Sequence, residues 1–129
     1  MNDVKNNELV SKKSLLDEIL DQPYIVPFVN IHENDNEFVL TADIPGVTKE
    51  NLEIKLEEKY LTIVGKVELQ DESKKKYLLR EKQAGNFLRR FKISDSIEVD
   101  KIDAKLENGQ LVISLPKKES VKPRNIEIV

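Results

Sequence analysis

Residues 102–116 read Ile102-Asp103-Ala104-Lys105-Leu106-Glu107-Asn108-Gly109-Gln110-Leu111-Val112-Ile113-Ser114-Leu115-Pro116. Ile102, Ala104 and Leu106 share one parity, and Leu111, Ile113 and Leu115 share another after Asn108-Gly109. Two alternating runs joined by Asn-Gly predict a β-hairpin, because both turn residues must take positive φ. The same period of two runs outward from there. Phe87, Arg89, Phe91 and Ile93 alternate with Leu88, Arg90 and Lys92; Leu52, Ile54 and Leu56 alternate with Glu53, Lys55 and Glu57, and Leu61 and Ile63 follow. Further upstream, Phe38, Leu40, Ala42 and Ile44 share a face, as do Val29 and Ile31 against Asn30 and His32. Asn34-Asp35-Asn36 and Pro45-Gly46 punctuate these runs as turns. Seven or more short half-buried strands predict an all-β chain, an antiparallel β-sandwich with a dry inner face and a wet outer one.

Three segments depart from that rhythm. Residues 1–26 form an N-terminal arm in which Leu9, Leu15, Leu16, Ile19 and Leu20 fall at helical spacing. Ser11 or Ser14 stands where an N-cap belongs, and Pro23 ends the helix. Residues 66–84, inside a sandwich domain at 27–116, are longer than the ~4–6 residues of an ordinary connection. They carry Lys74-Lys75-Lys76 and then an isolated apolar patch, Tyr77-Leu78-Leu79. Residues 117–129 are a polar extension that closes on Ile126-Glu127-Ile128-Val129. That tetrad either folds back on its own sheet as a strand or, left exposed, needs a partner elsewhere.

Composition narrows the function. The 129 residues include no Cys and one His, so thiolate metal sites, disulfides, cysteine nucleophiles and His-based triads have no raw material. A net charge of −3 argues against general nucleic-acid binding. No apolar run approaches the ~18 residues of a membrane helix, and the start lacks a signal-peptide stretch, so a cytoplasmic location is expected. Gly65-Lys66 resembles the end of a phosphate loop, but Tyr60 stands where its first glycine should be, so no nucleotide cofactor is expected. His32 lies on the polar parity of its strand and reads as solvated. Arg89 shares parity with Phe87 and Phe91, and a guanidinium facing an apolar layer needs a carboxylate. The chain reads as a non-enzyme without metal or cofactor.

Four motifs occur in order: Ala42-Asp43-Ile44-Pro45-Gly46-Val47, Gly85-Asn86-Phe87-Leu88-Arg89-Arg90-Phe91, Ala104-Lys105-Leu106-Glu107-Asn108-Gly109-Gln110-Leu111, and Ile126-Glu127-Ile128. Together they resemble the small heat-shock proteins, the α-crystallin-domain chaperones, over residues 27–129. The resemblance implies an immunoglobulin-like sandwich that dimerises, assembles further, and holds unfolding client proteins without ATP. In the bacterial and plant type, Tyr77, Leu78 and Leu79 would form a strand pairing with Phe28, Val29, Asn30 and Ile31 of a partner subunit. Glu81 would then face Arg89 of the other subunit. Ile126 and Ile128 match the family's docking tail, received in a groove lined by Leu52, Ile54, Leu56, Ile102, Ala104 and Leu106. The arm residues Leu9, Leu15, Leu16, Ile19 and Leu20 would serve client capture or assembly. Two features depart from the family pattern: the arm holds no Phe, and Gln110 stands where an aliphatic residue is usual. The rival expectations are a CS-domain-type co-chaperone and a sandwich binding module without holdase activity.

Overall fold

The computed structural model describes residues 14–68 and 85–129. A short helix, α1 (Leu15–Ile19), precedes eight strands: β1 (Tyr24–Ile25), β2 (Val29–Glu33), β3 (Glu37–Asp43), β4 (Val47–Glu57), β5 (Tyr60–Val67), β6 (Asn86–Lys92), β7 (Asp103–Glu107) and β8 (Gln110–Pro116). They form two four-stranded sheets, sheet A in the order β1-β6-β5-β4 and sheet B in the order β2-β3-β8-β7.

The predicted alternation decides which side chains meet between the sheets. In sheet B, Leu40 pairs with Ile113 and Ala42 with Leu111. In sheet A, Ile63 pairs with Ile54 on one side and Arg89 on the other, and Leu61 with Leu56 and Phe91. Leu40, Ala42, Leu61, Ile63, Leu111 and Ile113 form one buried cluster with Ile44, Val47, Phe87, Ile93, Ile97 and Leu115, and Ile54, Leu56 and Phe91 pack against it half-buried. At roughly 1.5–3 kcal/mol for each fully buried aliphatic side chain, this layer is the main favourable term.

The Asn108-Gly109 hairpin forms as its sequence predicts, with φ of 50° and 77°. A side chain at Gly109 would stand 3.1 Å from the Pro45 Cα, and the Gly109 carbonyl accepts the Ile44 N–H at 2.8 Å. The turn that carries the hairpin therefore also clamps the β3–β4 corner. Gly65 has a packing reason rather than a phosphate-binding one: a Cβ there would fall 2.9 Å from a Val47 methyl.

The arm is integrated with the domain from Ser14 onward. Ser14 caps α1, its hydroxyl accepting the Asp17 N–H at 3.3 Å. Of the helical stretch expected from Leu9 to Leu20, residues 9–13 lie outside the described residues, and within them the helix runs over Leu15–Ile19 and stops before Leu20. It packs on β4 and β5. Beyond Pro23, Tyr24 and Ile25 pair in parallel with Asn86 and Phe87 and so extend sheet A, although they lie on the arm side of the sequence boundary at 26. The helix has already ended at Ile19, and after Pro23 the chain is extended and lies beside β6.

Candidate interaction surfaces

The sandwich has two open sides. On the first, β2 is the edge strand of sheet B. Val29 is half-buried against the core, while Asn30 and Ile31 are exposed and Phe28 is 77% exposed. Beside this edge Ile31, Phe38, Phe91 and Leu115 line an apolar cavity of about 240 Å³, which strand alternation alone does not reveal. Tyr77, Leu78, Leu79 and Glu81, expected to meet this edge from a partner, lie outside the described residues.

Arg89 faces inward, opposite Ile63, as its parity required. Its Nη1 donates to the Pro27 carbonyl at 3.2 Å, tying β6 to the segment that leads into β2. Arg90 points the other way and lies 4.4 Å over the Tyr60 ring, a cation–π contact on the outer face. His32 is exposed, as expected.

On the second open side, β4 ends sheet A and β7 ends sheet B. Leu52, Ile54 and Leu56 are half-buried against the core from one edge, and Ile102 and Leu106 from the other. Ala104, opposite Ile113, is exposed at the mouth. Five large apolar side chains and one small one thus stand at these two edge strands. Glu53, Lys55 and Glu57 alternate with the apolar residues of β4 on the opposite face.

The C-terminal extension is fastened at its root. Lys117 and Lys118 donate backbone N–H groups to the Asn36 and Ser96 carbonyls, both at 2.8 Å, and a 3₁₀ turn follows at Glu119–Val121. Lys122 donates to the Glu119 carboxylate at 2.7 Å. That hydrogen bond, with the Lys122 charge, lowers the Glu119 pKa below the usual carboxylate value. The support this pair gives the turn is complete at neutral pH and is lost as pH falls through the lowered value. Past the turn the chain enters no sheet. Ile126 is 79% and Ile128 94% exposed, so the tail is not a strand of its own domain.

In the arm, Leu9 lies outside the described residues. Leu15 and Leu16 are half-buried, Ile19 is fully buried and Leu20 is exposed. The sequence showed the helical stripe but not its partner. That partner is the outer face of the chain's own sheet A, reached through Lys66 and through Glu53, whose alternation marked it only as solvent-facing.

Among the described residues, no group of three or more His, Asp or Glu side chains is placed to hold a metal ion. No described helix is long and apolar enough to cross a membrane.

The profile of the Hsp20/alpha crystallin family matches residues 30–129. Small heat shock protein C2 of Rickettsia felis is 37% identical over 105 residues, 81% of this chain and 68% of that protein. Two further curated relatives are matched over 63% of their own length. The 18 kDa heat shock protein of Clostridium acetobutylicum is 34% identical over 95% of this chain and 93% of its own. Among solved structures, a small heat-shock protein from Xylella fastidiosa superposes with a TM-score of 0.66 at 35% identity, over 83% of this chain and 99% of that one. With its two four-stranded sheets and its four motifs in order, the chain belongs to the Hsp20/alpha crystallin family, the small heat-shock proteins.

Proposed function

We propose that this small heat-shock protein acts as an ATP-independent holdase, built from dimers that join into larger oligomers. The observation that carries the reading is the display of large apolar side chains at the edge and end of a sandwich whose core is closed. Phe28 and Ile31 stand at the edge of sheet B, and Ile126 and Ile128 on the tail. Scattered apolar residues are ordinary, but a strand edge and a two-isoleucine tail presented this way fit surfaces meant for other chains.

Self-association occupies them first. Residues 74–80 of a second copy pair with Phe28 to Ile31, and Glu81 of that copy meets Arg89. Tails of neighbouring dimers enter the groove between Leu52, Ile54 and Leu56 on one side and Ile102, Ala104 and Leu106 on the other. Each contact is modest, so the assembly loosens under stress, and unfolding proteins cover the surfaces it vacates. No covalent step is involved, and no cofactor is needed.

Citrate synthase heated until it aggregates provides the test, read by light scattering. The chain, without nucleotide, suppresses the scattering in proportion to its amount, and added ATP changes nothing. Undiminished scattering at a severalfold excess of chain, or suppression only with ATP, would overturn the holdase reading.

A further inference from the structure

Val64 faces away from the inter-sheet core. It pairs with Glu53 and Leu88, one residue out of step with inward-facing Ile63. An outward residue of a two-layer sandwich is expected to be wet, yet Val64 is 2% exposed. The element packed over that face is α1, whose Ile19 is fully buried.

The helix is held there by polar contacts at both ends. The Leu15 N–H donates to the Glu53 carboxylate at 2.9 Å, Lys66 donates to Glu18 at 3.2 Å, and Asn86 donates its side-chain N–H to Gln22 at 2.7 Å. Lys66 also lies 3.7 Å from Glu68, so its charge is shared. The fit is incomplete. A cavity of about 340 Å³ remains between Leu16 and Leu20 of the arm and Tyr60, Val64 and Leu88 of the sheet, and Leu20 is 56% exposed. A five-residue helix does not persist alone in water, so α1 exists only while docked. Its seat is formed by Tyr60, Val64 and Leu88, with Lys66 beside Glu18 and with Glu53 and Arg90 at the rim, and its own chemistry is apolar residues around carboxylates.

We propose that the outer face of β5 and β6 is a docking surface for apolar, carboxylate-bearing segments, closed in cis by α1 and opened to an unfolding protein when α1 lifts. This rests on the holdase reading for the identity of the second occupant. It is a surface distinct from the β4–β7 groove and from the β2 edge. The occupant in the resting chain is α1 itself, and Lys66 selects for the acid that Glu18 now supplies.

The chain has no cysteine, so Val64→Cys supplies a single thiol beneath the helix. Its labelling by 5,5′-dithiobis(2-nitrobenzoate) reports release of α1. With Leu88→Cys as the substitute should Val64→Cys fail to fold, each variant is checked by thermal unfolding and by mass in solution. Adding Ile19→Ala raises the labelling rate by more than about tenfold, since it removes the buried anchor. Glu18→Lys raises it by about two- to fivefold, as expected for a partly buried ion pair whose cation is shared with Glu68, and Glu18→Lys with Lys66→Glu returns it toward the starting rate. In the cysteine-free chain, Ile19→Ala suppresses citrate synthase scattering at a lower ratio of chain to client. Equal labelling rates with and without Ile19→Ala would overturn the cover. Faster labelling with unchanged suppression would overturn the docking role. Should the unaltered chain suppress no scattering at all, the holdase reading and the client role fall together, while the labelling rates still decide whether α1 is a cover.

Discussion

Strand β8 and the C-terminal tail are two alternating apolar segments of the same kind, and they meet opposite fates. Leu111, Ile113 and Leu115 are sealed between the sheets, with Ile113 fully buried, while Ile128 stands 94% in water. Their local patterns do not distinguish them. Their neighbours do: β8 lies between β3 and β7 with a ladder on each edge, whereas the tail follows a fastened root and a 3₁₀ turn that carry it off the domain. Alternation specifies an extended segment with one apolar face. Whether that face is filled within the chain depends on having a strand on either side.

The sharpest way to break this comparison is to remove the same atoms from the buried segment. Ile113→Ala leaves a cavity where Leu40 and Ala104 pair across it, and should destabilise the fold by about 2–5 kcal/mol in urea unfolding. A loss below about 1 kcal/mol would mean the inter-sheet layer is looser than its burial implies.

The two arginines of β6 sharpen the contrast on a smaller scale, because adjacent residues of one type face opposite sides. Arg89→Ala removes a charged donor from the carbonyl of buried Pro27 and should cost about 1.5–3 kcal/mol. Arg90→Ala removes a cation–π contact at an exposed ring and should cost about 0.5–1 kcal/mol. If a dimer places a partner carboxylate on Arg89, the gap widens when dissociation rather than unfolding is measured. Equal losses in both measurements would show that facing inward gives Arg89 no special role.

The two hairpin turns show how much was legible. Asn108-Gly109 announces its geometry, and the hairpin reads directly from it. Glu58-Lys59 takes the same positive φ values, 51° and 69°, with residues that disfavour them. The charged run Glu57-Glu58-Lys59 reads as a turn, but nothing local predicts its positive φ values. It is held from a distance, by the Lys59 carbonyl accepting the Ile93 N–H at 2.8 Å and by the Lys59–Asp95 ion pair. Glu58→Gly should therefore stabilise the fold by about 0.5–1 kcal/mol, because strain relief exceeds the added freedom of the unfolded chain; a loss of stability would mean the Glu58 side chain has a role of its own. The same division holds for the interaction surfaces. Strand parity placed Arg89, the β4 and β7 apolar rows and the outward His32. The seating of α1 on sheet A was not readable, because the burial of Ile19 and the single contacts at Glu53, Lys66 and Asn86 join segments far apart in the chain.

The tail carries the smallest expected effect on folding and the most direct consequence for assembly. Ile126 and Ile128 are largely in water, so Ile126→Ser with Ile128→Ser should leave urea unfolding of the sandwich within about 0.5 kcal/mol of the unaltered chain. Docked in a neighbour's groove, each isoleucine would contribute roughly 1.5–3 kcal/mol. Ordering the linker costs roughly 1–2 kcal/mol for each residue fixed. One tail is therefore a weak, rapidly exchanging contact, and an assembly is held only by many acting at high effective concentration. The double substitution should shift any larger oligomer to dimers in mass measured by light scattering, with the thermal midpoint of the domain unchanged. An unchanged mass would leave the exposed isoleucines without an assembly role. A fall in domain stability would place them in the core of their own sandwich after all, and the contrast between tail and β8 would disappear.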